Sequence, residues 1–510
     1  MALPRACGIL MHPTSLPGRF GIGELGAEAY QFVDFLVSAG QSLWQVLPLG
    51  PTGYGDSPYQ CFSVFAGNPL LVSLERLVEE GALRAGALER APAFPAQQVD
   101  YGAVISFKLD MLRRAAATFI AQASHEQRHA FAEFCQQNAG WLDDYALFMA
   151  LKDAHGGAPW VEWEPALARR EPAALARRRE DLAGAILTHQ FMQFEFFRQW
   201  TALRSYANGR GVRIIGDAPI FVAHDSADAW AHPELFFLDA AGRPTVVAGV
   251  PPDYFSPTGQ LWGNPLYRWQ EMAGTGYAWW VERLRALLRI VDLVRLDHFR
   301  GFEAYWEVPA GETTAVNGRW VPGPAASLFE ALRAALGELP IVAEDLGVIT
   351  PAVEALRAQF GFPGMKVLQF AFGSDAKNEH LPHRWTRDMV AYTSTHDNDT
   401  AAGWYARVAD TPEGAYARRY LPSDGRDIAW DMIRVAMASI ATFAIYPAQD
   451  VLSLGNWARM NYPGRPAGNW SWRCAPGALD ERLAQRLRQM AEDYGRLPAD
   501  SDRPASRQAA

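Results

Sequence analysis

The chain has 510 residues, 49% of them hydrophobic and 20% charged, with a net charge of −9. That is an ordinary balance for a globular enzyme of one large domain with insertions or of two to three domains, and the acidic charge without a long basic run argues against nucleic acid or an anionic membrane surface as partner. Four scattered cysteines (Cys7, Cys61, Cys135, Cys474) with no C-x-x-C pair read as reduced thiols in a cytoplasmic protein, and neither a bilayer-spanning run nor a signal peptide is visible.

Cys7 to His12 is a short apolar run that breaks at Pro13. A glycine-rich loop follows, then a helix over Ala27 to Ala39 that ends at Gly40. Ser42 to Leu49 is a second strand, opening onto the loop GPTGYGDSPYQ. From about 70 to 180 the composition turns to Ala, Arg, Glu and Leu at helical spacing, which predicts a helical insertion. The helix after it, about Asp181 to Asn208, carries Phe191, Phe194, Phe197 and Trp200 on one side, a core-packing stripe. Strands then recur at Arg213–Phe221, Leu293–Gly301, Ile341–Val348, Met365–Phe372, Met389–Asn398 and Ala444–Leu452. Eight strands with helices between them predict a closed parallel (β/α)8 barrel, an α/β fold built as a single catalytic domain. Segments 222–275 and 302–335 read as loop-rich insertions, and the Pro/Ser/Ala-rich stretch 497–510 reads as a disordered tail.

The densest chemistry lies in Leu293 to Gly301, LVRLDHFRG. Strand side chains alternate, so Arg295 and Asp297 share a side, and the guanidinium is a built-in counter-charge for the carboxylate. Acids also close strands three, five and seven: Asp217, Glu344 and Asp397. In a barrel those ends meet at one mouth. Carboxylates that share a cleft must have their pKa values pushed apart, and one ionised acid beside one protonated acid suits glycosidic bond cleavage. Asp297 is assigned as nucleophile. Glu344, behind the apolar IVA, is assigned as general acid/base because burial raises a carboxylic acid's pKa. Asp397 and His396 would bind sugar hydroxyls. Aromatic residues offer stacking surfaces for sugar rings: Tyr54 and Tyr59 after strand two, and Tyr254, Phe255 and Trp262 after strand three. The proline-stiffened stretch VPPDYFSPTGQLWGNP fits a lid over the cleft better than an aromatic patch buried against the barrel. His12, His224 and His298 show no metal-ligand spacing, so neither metal nor cofactor is expected.

RLDHFRGF, AEDLG and TSTHDN resemble the catalytic segments of the amylomaltase family, glycoside hydrolase family 77 of the α-amylase-like clan. The resemblance runs through HPTSLPGRFGIGELG, GDSPYQ, GDAPIFVAHDSADAW, PPDYFSPTGQLWGNPLY, NGRWVPGP and NWSWR. It implies a (β/α)8 barrel without a C-terminal β-sandwich and 4-α-glucanotransferase activity on α-1,4-glucans by a retaining double displacement. It also implies Asp297 as nucleophile, Glu344 as acid/base and Asp397 as transition-state stabiliser. Arg295, His396 and Asp217 would hydrogen-bond the sugars at the bond to be cut, with Ser57 and Tyr59 of SPYQ beside them and Tyr59 as the aromatic platform. Trp262, Tyr254 and Phe255 would belong to a lid loop, and Tyr54 with Tyr101 to a second glucan groove. Segments 222–275 and 302–335 would form the lid and the acceptor side. A monomer is expected. The rival readings are an α-glucan hydrolase on the same barrel and a catalytically silent glucan-binding scaffold.

Overall fold

The computed structural model describes residues 4–252, 256–465 and 467–498. Twelve strands follow in chain order: β1 (Ala6–Leu10), β2 (Leu43–Gln45), β3 (Arg213–Ala218), β4 (Val246–Val250), β5 (Gln260–Pro265), β6 (Leu293–Leu296), β7 (Ala304–Pro309), β8 (Arg319–Pro322), β9 (Ile341–Ala343), β10 (Gly364–Val367), β11 (Met389–Tyr392) and β12 (Phe443–Pro447). Eight of them form one parallel sheet in the order β10-β11-β12-β1-β2-β3-β6-β9. Its two ends meet where Ala343 N–H donates to the Pro363 carbonyl at 2.9 Å and Met365 N–H to Asp345 Oδ1 at 2.7 Å. The result is the expected (β/α)8 barrel. Its strands are buried on both faces, which is why they read as continuous apolar runs instead of alternating ones. β1 approaches β2 so closely that a Cβ on Gly8 would lie 2.1 Å from the Leu43 carbonyl oxygen, so only glycine fits.

The strands are shorter than the apolar runs that announced them. Arg213–Phe221 pairs only through Ala218, and Ile341–Val348 only through Ala343. Beyond those points the chain leaves the ladder to carry polar side chains over the mouth.

Helices fill most of residues 74–208, including Tyr101–Gln122, His125–Ala154 and Ala183–Asn208. Ser124 starts the second of these with a reciprocal capping box to Gln127. The aromatic stripe of the third packs as core: Phe194 meets Phe119, Phe131 and Phe134, and Trp200 reaches Trp44 under the barrel wall.

Segments 222–275 and 302–335 differ from the expectation of loop. β4, β5, β7 and β8 form an antiparallel sheet in the order β5-β4-β7-β8. These strands carry glycine and proline within short spans, and the central pairing of β4 with β7 joins parts of the chain more than 50 residues apart, so no local alternation marks them. Trp262, expected in a loop, lies on β5; Tyr254 and Phe255 lie outside the described residues. The tail expectation at 497–510 needs a correction at its start. Leu497 packs on the core beside the turn at Gly40, while residues 499–510 lie outside the described residues. The buried Arg496 just before it donates to the carbonyls of Ala6, Met437, Ser439, Ala441 and Thr442, tying the chain's end to β1 and β12.

Candidate active site

Pairing register builds the site. β3 and β6 place Asp217 beside Arg295, and β6 and β9 pair Leu296 with Ala343. The next step along those two neighbouring strands therefore sets Asp297 beside Glu344. Both residues lie just past the C-terminal ends of their strands, at the barrel mouth.

Arg295 is the hub. Its Nη1 lies 2.8 and 2.7 Å from the two Asp217 oxygens and 2.9 Å from Asp297 Oδ1. Burial opposes the charge on Arg295, but the two carboxylates outweigh it and hold the guanidinium firmly protonated. Asp217 is fully buried, and its Oδ2 also accepts the Tyr59 hydroxyl at 2.7 Å. Asp217 has no exposed side-chain surface in this structure, and its oxygens are taken up by Arg295 and Tyr59. Asp297 keeps a quarter of its side-chain surface open.

Glu344 sits beside Asp297 at the end of the neighbouring strand. His298 N–H donates to its Oε2 at 2.7 Å and Leu346 N–H to its Oε1 at 2.8 Å, which fixes the rotamer. Burial pushes its pKa up to about 7; Arg295 and the two amides pull down, and the charge of Asp297 pushes up. His298 reaches Glu344 only because its backbone is left-handed, with φ of +53°. Strain of this kind recurs at functional sites.

Asp397, on the loop after β11, is held in the opposite sense. Burial alone would raise it, but His396, whose Nε2 lies 3.3 Å from Oδ2, and Asn461, which donates to Oδ1 at 2.7 Å, bring it down to about 2. Burial thus lifts Glu344 to about 7 while its partners hold Asp397 near 2, so the two acids are pushed apart. Asp397 in turn raises His396 against the effect of its burial. His12, beneath His396, is pushed down to about 3 by burial and by that neighbouring charge, so it stays neutral.

The aromatic side is compact. Tyr59 stacks on His396 with centroids 5.2 Å apart and planes 17° apart, and Trp470 touches both rings. Ser57 shapes the turn, accepting Tyr59 N–H at 3.2 Å. Trp262 meets His298 edge-on at 4.8 Å. Tyr54 is 76% exposed in the turn beside Ser57, apart from this cluster. Tyr101 opens a helix of the insertion, and its hydroxyl donates to the Trp470 carbonyl at 3.0 Å. Sequence reasoning missed Trp470 and Asn461, and took His12 only as a histidine without metal-ligand spacing. NWSWR and HPTSL flagged two of these segments, but nothing local showed that they face the mouth. Among the described residues, no cluster of His, Cys, Asp and Glu could hold a metal ion.

A parallel eight-stranded barrel that gathers an arginine-paired carboxylate, a raised glutamic acid and stacked rings at its C-terminal mouth defines a class: enzymes that cleave and remake glycosidic bonds. Residues 11–479 match the model of a family described as 4-alpha-glucanotransferase. The chain belongs to this family. It is 56% identical over 505 residues to a 4-alpha-glucanotransferase of Thermus thermophilus, covering 98% of this chain and 100% of that one. It is 53% identical to one of Synechocystis, covering 96% and 98%. The amylomaltase of Streptococcus agalactiae, solved in complex with acarbose, superposes with a TM-score of 0.94 at 39% identity, over 97% of this chain and 100% of that one.

Proposed function

We propose that the chain transfers α-1,4-glucan segments between maltodextrins by double displacement, with Asp297 as nucleophile and Glu344 as acid/base. The observation that carries this reading is the register of β6 and β9, which sets the two acids at equivalent positions on neighbouring strands. Paired strands lie about 4.8 Å apart, close to the roughly 5–5.5 Å separation of carboxyls in retaining enzymes. Asp297 attacks the anomeric carbon while Glu344 protonates the departing 4-oxygen, giving a covalent glycosyl-enzyme. A sugar 4-hydroxyl, deprotonated by Glu344, then attacks that carbon and restores the configuration. Asp397 and His396 bind the hydroxyls of the ring being distorted, and Tyr59 stacks beneath it.

Transfer wins over hydrolysis when an acceptor is held in line. Oriented groups reach effective molarities on the order of 10⁵ M or more, enough to outcompete water. The β4–β5 hairpin and the sheet behind it serve as cover and acceptor wall. We infer a monomer working in the cytoplasm, the compartment in which the four free cysteines among the described residues would stay reduced.

Incubation with maltotriose tests the reading. A ladder of longer oligomers plus glucose is expected; shorter sugars alone would mean a hydrolase. Asp297→Asn is expected to lose turnover while still binding maltodextrin, and unchanged product formation would refute the assignment.

A further inference from the structure

On the antiparallel sheet, Trp306 of β7 and Trp320 of the edge strand β8 stand directly opposite each other. Their rings meet at 5.1 Å and 69°, edge against face. Trp306 is tied down, its Nε1 donating to the Ala315 carbonyl at 2.8 Å. Trp320 is 39% exposed. An exposed indole is unusual, because tryptophan has the most apolar surface to hide.

One face of Trp320 is already covered. The guanidinium of Arg300 lies 3.7 Å from the ring centroid. Arg300 is itself buried, and its Nη1 donates to the carbonyl of Val348. Its position links two catalytic loops: Arg300 follows Asp297 by three residues, and Val348 follows Glu344 by four. A buried cation is thus held by both acid-bearing loops and supports a surface ring from behind. The ring is flat, and through Arg300 it is tied to the loops that follow both acids. One ionisable group borders it, the partly exposed Glu303 that pairs with Arg300, while Arg319 turns to the other face of the sheet, where it is ion-paired to Glu307.

We propose that Trp320 is an acceptor subsite, its outer face stacking on a glucose ring of the incoming α-1,4-glucan beyond the sugar that is attacked. The inference rests on the transferase reading above. A pyranose offers an apolar C–H face of matching size and a rim of hydroxyls for Glu303. A single indole with a charged border suits a sugar better than a protein partner, which needs a broad apolar patch. The preset ring also loses little side-chain entropy on binding, a cost that a mobile side chain would pay in full.

The test follows the loss of iodine stain from amylose while glucose or maltotetraose is supplied as acceptor. Glucose fills only the position that is attacked, whereas maltotetraose extends three sugars beyond it, toward the proposed subsite. For Trp320→Ala the KM for maltotetraose is expected to rise about tenfold, and the KM for glucose to move less than about twofold. Trp320→Phe keeps a stacking ring and should recover most of the effect. Trp320→Leu keeps an apolar cover over Arg300 without a flat ring, so it should behave like Trp320→Ala. If Trp320→Leu matches wild type, or if both KM values shift together or not at all, the indole is only a shield and the proposal falls. Wild-type protein that transfers to neither acceptor would instead overturn the transferase reading, a separate and recognisable result.

Discussion

Replacing Glu344 with glutamine removes the acid whose ionisation the fold resists most plainly at the mouth. The side chain is 9% exposed, and burial carries its pKa from an ordinary 4.5 up to about 7. An acid with a raised folded-state value binds its proton more tightly when folded. Its contribution to stability is therefore complete below about pH 4.5 and is lost as the pH rises through about 7. At about 1.4 kcal/mol per pH unit, the loss is about 3 kcal/mol. Glu344→Gln cannot ionise, so it escapes this loss. The variant also carries a fixed cost. Both Glu344 oxygens accept backbone N–H groups, and a glutamine NH2 would turn a donor toward one of them, at about 1–3 kcal/mol. That cost is the same at every pH. The assay is denaturant unfolding of wild type and Glu344→Gln at pH 4 and pH 8. Other buried acids, such as Glu24 and Asp228, titrate in both proteins and cancel in the difference. The variant is expected to gain about 3 kcal/mol on wild type between the two pH values. A difference that does not change with pH would refute the idea that burial raises this acid. Catalysis should move in the opposite direction: wild-type kcat/KM falls above about pH 7, where Glu344 can no longer protonate the leaving oxygen, and Glu344→Gln loses turnover throughout.

Asp217→Ala leaves a buried guanidinium with one of its two carboxylates and releases Tyr59; a loss of about 3 kcal/mol is expected in chemical unfolding, together with a raised KM, and an unaltered unfolding midpoint would show that Asp297 alone suffices for Arg295. His298→Gly preserves the left-handed backbone that donates to Glu344, whereas His298→Val cannot adopt it without strain of about 1–3 kcal/mol. The valine variant is thus expected to shift the basic limb of the pH–rate profile while the glycine variant keeps it near wild type, and equal limbs would separate the backbone geometry from catalysis. Arg496→Met strips a cation from five buried carbonyls at the barrel floor, far from the acids. It should cost about 3–5 kcal/mol in unfolding with KM unchanged; a melting temperature equal to wild type would show that the clamp is idle.

The acids at the mouth were legible because two simple periodicities turn letters into positions. Arg295 and Asp297 lie two residues apart, and strand alternation alone puts them on one side. Glu344 ends an apolar triplet, and a barrel strand that ends in charge points its side chain at the mouth. Adjacent parallel strands then finish the work, since Leu296 opposite Ala343 forces their successors to be neighbours. The supports were not legible for the complementary reason. Trp470 meets Tyr59 across more than 400 residues, Asn461 reaches Asp397 from a loop 64 residues on, and the four-stranded sheet pairs strands that carry glycine and proline. None of these contacts has a local period.

Asp217 shows how a correct location can still mislead about a role. Its place near the end of an apolar strand put it at the mouth, but only the register with Arg295 and the bond from Tyr59 reveal that its oxygens are already occupied. Burial decides between two kinds of acid that a sequence writes with the same letter. Asp297, with a quarter of its side chain open and one arginine beside it, is open to the attack proposed for it. Asp217, closed on every side, can only hold the arginine and the tyrosine that make such an attack productive.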